Sequence, residues 1–143
     1  MTEVSQPDEL MPPGHAAGDL LEVDKWKIIE RSGGVLVVEA HLPDRLKNPK
    51  GQLFGGFTPT YVDMVSLHTV HGAAEARGEE RHWLTTINMR CDYYEPIVEP
   101  TFTIRGEIEN QRGLTSLVST KFFQGGTMAA HAITTIRTMP SAG

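Results

Sequence analysis

The stretch from Phe54 to about Arg77 limits the possible folds more than any other part of the chain. It has helical spacing, yet its apolar residues do not keep to one stripe. Tyr61, Val62, Met64, Val65, Leu67, Val70, Ala73 and Ala74 cover nearly the whole circumference. A helix that is apolar all round is a buried one, so the remaining chain must wrap around it. Gly78 stands where a C-capping glycine belongs. The start is open to two readings. Thr58 can cap the helix with Pro59 in its first turn, or the helix can begin at Gly55, because proline is tolerated there. Only the second leaves the Gly55 and Gly56 amides as free donors at the helix end.

The wrapping material is β-rich. Leu20 to Arg31 has a strand-like pattern, Ser32-Gly33-Gly34 signals a turn, and Val35 to Leu42 is a β-branched run, so the two segments read as a hairpin. Beyond the helix come Trp83–Tyr94, Thr101–Glu109, Leu114–Phe123 and Thr127–Thr138, separated by turns at Glu95-Pro96, Asn110–Gly113 and Gln124–Gly126. Such short connections favour antiparallel neighbours. The order β-β-α-β-β-β-β predicts an α+β architecture, an antiparallel sheet of six strands curled around one long helix. Residues 1–18, rich in Pro, Gly and acids, read as a mobile tail, and residues 19–140 as the single domain.

Composition narrows the function classes. A net charge of −5 and the lack of a Lys/Arg run argue against nucleic acid as a partner. No apolar run approaches the about 18 residues that cross a bilayer, so no membrane partner is expected. The acidic N-terminus does not look like a secretory signal, and one cysteine, Cys91, cannot form an internal disulfide. A cytoplasmic protein is the expectation. No P-loop, dinucleotide-binding glycine pattern or serine elbow occurs.

Two features carry chemistry. Asp63 is an acid in an otherwise apolar helix, and the residues three and four away are Pro59, Thr60, Ser66 and Leu67, so no helical ion pair holds it. A buried carboxylate of this kind is either functional or paired in the tertiary structure. Gly55-Gly56 lets another group approach the backbone closely, and amides at a helix start can stabilise a developing oxyanion. Ser66 shares a face with Asp63. It either orients the carboxylate or bonds back to its own helix. His68 and His71, at i and i+3, lack an accompanying acid or thiol, so no metal site is expected. Cys91 reads as a small buried hydrophobe.

The run Asn48-Pro-Lys-Gly51-Gln-Leu-Phe54-Gly55-Gly56, with Asp63 beyond it, resembles the signature of the hotdog-fold acyl-CoA thioesterases of the phenylacetate-pathway and 4-hydroxybenzoyl-CoA type. That signature is Asn, Gly, then His-Gly-Gly, with an acid nine residues after the His. Every spacing agrees, and Phe54 stands in place of the His. The resemblance spans residues 20–139. It implies a hotdog fold and hydrolysis of an acyl-CoA thioester, with coenzyme A as part of the substrate and no separate cofactor. Asp63 would be general base or nucleophile, the Gly55 amide an oxyanion donor, Asn48 and Thr86 positioning groups. Phe54, Gly56 and Ser66 would lie against the substrate, with Arg112 and Gly113 near the coenzyme A nucleotide.

Gly55 and Asp63 are eight residues apart, about 12 Å along one helix. An amide at one and a carboxylate at the other cannot easily reach the same carbonyl. A site that uses both is expected to be shared between two protomers, in a homodimer or homotetramer. Because a phenyl ring cannot donate the hydrogen bond an imidazole can, a non-catalytic acyl-thioester-binding protein stays open as a reading; a hydroxyacyl-thioester dehydratase is a further one, although that chemistry usually pairs a His with the acid and Phe54 removes the obvious candidate.

Overall fold

The computed structural model describes residues 10, 11 and 14–140. Six strands form one antiparallel sheet: β1 (Lys27–Ser32), β2 (Val35–His41), β3 (Leu84–Tyr93), β4 (Thr101–Arg112), β5 (Thr115–Gln124) and β6 (Thr127–Thr138). Their spatial order is β1-β2-β4-β5-β6-β3, which leaves β1 and β3 at the edges. A short helix, α1 (Ala16–Leu20), precedes the sheet, and the long helix α2 (Thr58–Ala76) packs on its concave face. This is the hotdog arrangement expected from the sequence.

The helix start combines the two readings. A single 3-10 turn, Gly55–Phe57, runs into α2 at Thr58, with Pro59 in the first turn, where its missing N–H has no helical acceptor. At the other end Gly78 takes φ +72°, and Gly78 and Glu79 donate to the Glu75 and Ala74 carbonyls, which closes the helix in a Schellman motif. The helix lies directly on the sheet at Gly106 of β4. A Cβ there would meet Val65 Cγ1 at 3.0 Å and collide with the Thr69 hydroxyl. Only glycine lets the two backbones come this close.

The core gathers aromatic rings around Tyr61. Trp26 stacks on it at 5.7 Å, and Phe102 and Phe122 meet it edge-on at 5.3 and 6.3 Å. Each fully buried large apolar side chain contributes about 1.5–3 kcal/mol. The Tyr61 hydroxyl escapes an unpaired burial by donating to the His41 carbonyl at 2.8 Å.

Three boundaries differ from expectation. The segment Leu20–Arg31 is strand only from Lys27. Before it, Glu22 adopts φ 52° and Val23–Lys25 form a 3-10 turn, so Leu21, Val23 and Trp26 reach the core from irregular backbone. The β4–β5 connection is tighter than Asn110–Gly113: pairing continues to Arg112 and Thr115, with Gly113 at φ 58° in the turn. The expected tail is shorter, because Leu10 is buried and α1 packs on the domain, so residues 10, 11 and 14–18 belong to the fold. The rest of that expectation, residues 1–9, 12 and 13, lies outside the described residues. No helix among the described residues is long and apolar enough to cross a membrane.

Candidate active site

Asp63 sits one turn and a half into α2 and is half-buried. Its carboxylate accepts a short hydrogen bond from the Thr86 hydroxyl of β3. Thr86 faces the helix because its cross-strand partner, Ile136, does, and Ile136 is fully buried. An edge strand thus holds the acid in place. Ser66 does not touch the carboxylate: its hydroxyl donates to the Asp63 carbonyl at 3.3 Å, the back-bonding alternative.

Asp63 lines a cavity of about 890 Å³. Met64 and Leu67 of α2, Leu84 and Met89 of β3, Trp83, and Met11 and Ala17 from the N-terminal segment give it an apolar wall. Besides Asp63, its polar residues are His15 and Thr60 and, further along α2, His68 and His71, with Arg81 and His82 just before β3. Burial pushes the His68 imidazole down to about 3, with His71 next in effect, so His68 is neutral. Burial and the Arg81 guanidinium also lower His71.

The loop before α2 is a self-contained unit. The Asn48 side-chain oxygen accepts from the Lys50 and Gln52 amides at 2.9 and 3.0 Å, and its amide group donates to the Gln52 side chain at 3.1 Å. Gly51 completes the turn at φ +77°. Asn48 therefore shapes the loop that delivers Phe54-Gly55-Gly56. Phe54 is 55% exposed and leans on Phe57 at 5.8 Å. Gly56 lies beneath it, and a Cβ there would meet the exposed Phe54 ring at 2.7 Å and push it aside. Both glycines are exposed, and neither amide donates to another backbone group among the described residues.

Sequence reasoning missed Tyr93. Its hydroxyl donates to the Gly55 carbonyl at 2.8 Å and turns the peptide so that the carbonyl faces β3. A tyrosine at the end of a strand was the only signal, and its partner is 38 residues away. The lining of the cavity by His71, Arg81 and Trp83 was also missed, since three separate segments contribute to it. Arg112 ends β4 and Gly113 opens the β4–β5 turn, beside Gln111, whose side chain meets Arg77 just beyond the C-terminal end of α2. The chain thus joins Asp63 with Thr86, and Gly55 with Tyr93. It does not bring Gly55, Asn48 or Arg112 to Asp63: none of the three lines the cavity that contains it. Cys91 packs against the core, and burial followed by the Asp92 charge raises its thiol, as befits a structural side chain.

The sequence profile of the thioesterase superfamily matches residues 50–130. The chain belongs to that superfamily. No curated protein matches it in sequence. Among solved structures it resembles a phenylacetic acid degradation-related protein of Ralstonia eutropha, with a TM-score of 0.76, 22% identity, and 91% of this chain and 96% of that one covered. A thioesterase protein of Streptococcus pneumoniae solved with coenzyme A gives 0.72, 20% identity and coverages of 84% and 90%. Zebra fish thioesterase superfamily member 2 gives 0.77 at 17% identity, covering 93% of each chain. These likenesses establish the shared fold, and membership of the superfamily supports thioester hydrolysis as the general chemistry.

Proposed function

We propose that the protein hydrolyses acyl-CoA thioesters at sites that each take residues from two copies of the chain. The observation that carries this reading is Asp63, held by Thr86 at the wall of a largely apolar cavity. A carboxylate there can take a proton from water as the water oxygen bonds to the thioester carbon, or attack that carbon itself. In the first case the C–S bond breaks, the thiolate of coenzyme A leaves and takes up a proton, and the acid is released; in the second the same cleavage leaves the acyl group as a mixed anhydride on Asp63, which water then hydrolyses to the free acid and the regenerated carboxylate. The carbonyl oxygen needs a donor while it is negative. The Gly55 amide is available for that role, about 12 Å along the helix from the acid, so it serves the Asp63 of a second copy. Strand β3 supports such an assembly. It is an unpaired edge ten residues long, with Ile87, Tyr93 and the adjoining Trp83 and Tyr94 exposed. Asn48 contributes by fixing the Gly55 loop.

The test is thiol release from short, long and aromatic acyl-CoA esters by wild type and Asp63→Asn, with oligomer size measured by sedimentation. Turnover by a dimer or larger assembly, abolished in a folded variant, is expected. A fully active monomer would refute the shared site. A second reading, an acyl-thioester-binding protein without turnover, is favoured by one observation: exposed Phe54 stands where the family's His would donate a hydrogen bond. Ligand binding without thiol release from any ester would select it.

A further inference from the structure

The cavity beside Asp63 is chemically two-ended. Near Asp63 its wall is mainly apolar, formed by Pro59, Met64 and Met89 beside Thr60. Eight residues further along α2, about 12 Å away, stands His71, and its ring is tied on both sides. Nδ1 meets an Arg81 terminal nitrogen at 3.1 Å, and Nε2 meets the His82 carbonyl at 3.3 Å. A guanidinium can only donate and a carbonyl can only accept, so Nδ1 is the acceptor and Nε2 carries the proton. His71 is therefore neutral and fixed in one tautomer, and it steers the Arg81 fork at the cavity wall. Among the described residues no carboxylate lies within 4.0 Å of Arg81. Next to His71, His68 is 6% exposed, its ring 5.9 Å away, and its Nδ1 has no hydrogen-bond partner among the described residues.

We propose that this end of the cavity recognises a carboxylate at the far end of the acyl group, so that the preferred substrates are ω-carboxyacyl thioesters. The inference rests on the hydrolase reading for the reaction and names its substrate class. A planar guanidinium matches a carboxylate in two parallel hydrogen bonds. The apolar wall between the ends accepts the methylene chain. Asp63 repels a second carboxylate, so the ligand enters in one orientation, with its thioester at Asp63 and its acid at Arg81. His71 acts as a positioning residue for Arg81. The reach of about 12 Å favours a medium-length chain over a short one.

The experiment compares kcat/KM for straight-chain acyl-CoA esters with that for ω-carboxyacyl-CoA esters of the same length, in wild type, Arg81→Gln and Arg81→Lys. The wild-type ratio should favour the ω-carboxy ester about ten- to a hundredfold, as for a hydrogen-bonded charge pair. Arg81→Gln should bring the ratio near unity, and Arg81→Lys should retain part of it. A wild-type ratio of one overturns the proposal. So does an equal rise in KM for both esters in Arg81→Gln, which would place Arg81 on the coenzyme A moiety. A second readout does not need turnover. Trp83 lines the cavity, whereas Trp26 is buried under Tyr61. Fluorescence titration with a free medium-chain monocarboxylic acid, whose single carboxylate stands for the ω-acid end, should saturate in wild type and weaken about tenfold or more in Arg81→Gln. If no ester is hydrolysed yet this titration behaves so, the carboxylate site stands and the hydrolase reading falls. Equal binding of that acid and of its uncharged methyl ester removes the site.

Discussion

Replacing Thr86 by Val tests whether the edge strand prepares the carboxylate for chemistry. The side chain keeps its branched shape and its place on β3, and only the hydroxyl that donates to Asp63 is lost. A hydrogen bond to a charged acceptor is worth about 1.5–3 kcal/mol. Both residues are half-buried, and water can replace part of the lost interaction, so the lower half of that range applies to stability, a fall in Tm of about 3–6 °C for a domain of this size. Turnover should suffer more. A carboxylate freed from Thr86 samples other rotamers, and a loss of about 1.4–2.8 kcal/mol of transition-state stabilisation lowers kcat/KM about ten- to a hundredfold. The assay is thiol release by Thr86→Val, Asp63→Asn and the double variant, with Tm recorded for each. If Thr86 acts through Asp63, the double variant is no slower than Asp63→Asn alone, because groups that work as a unit do not add. Unchanged kcat/KM in Thr86→Val, or full additivity in the double variant, would refute the reasoning.

Other perturbations probe the scaffold. Gly106→Ala should cost about 1–3 kcal/mol in urea unfolding, and Thr69→Ala should restore part of it by removing the colliding hydroxyl. A fully additive double variant would mean that Gly106 matters for another reason. His68, pushed down to about 3 by burial, stabilises the fold where it is neutral in both states. That contribution is complete above the unfolded value of about 6.5 and is lost as pH falls towards 3, at about 1.4 kcal/mol per pH unit. His68→Phe should therefore flatten the fall in stability between pH 6 and 4, and an unaltered slope there would contradict the assignment. Phe54→His changes an exposed ring, so stability should stay within about 0.5 kcal/mol, while the relative rates across the acyl-CoA panel shift. An unchanged substrate profile would show that Phe54 does not contact the acyl group.

Much of this was legible in the sequence because single residues carried it. The buried helix announced itself by apolar residues on every face, the strands by β-branched runs between glycine turns, and Asp63 by being an acid amid apolar residues, far from Glu75 in the helix's last turn. The remainder depends on contacts that local patterns do not encode. Leu21, Val23 and Trp26 mimic a strand or helix in spacing, but a left-handed Glu22 interrupts both. Leu10 and Met11 sit in a polar, proline-rich context that hides their burial. Tyr93 and Arg81 acquire their roles only when β3 folds back along α2. His68 and His71 were visible as a pair, but sequence alone could not show the guanidinium beside them.

The irregularity in β3 has a consequence for the register of the site. Pairing with β6 slips between Thr86 and Asn88, where Ile87 is the extra residue and is 58% exposed. Side chains of an unbroken strand alternate sides, so two residues separated by seven positions point to opposite faces. Thr86 and Tyr93 are so separated, yet both must reach the helix layer, one for Asp63 and the other for Gly55. The bulge supplies the odd step that brings them back into phase. Deleting Ile87 would leave every other residue of β3 intact and still turn one of these two anchors outward. The spacing between the acid and the glycine loop is in this sense counted out along the edge strand, one residue out of step with a regular sheet.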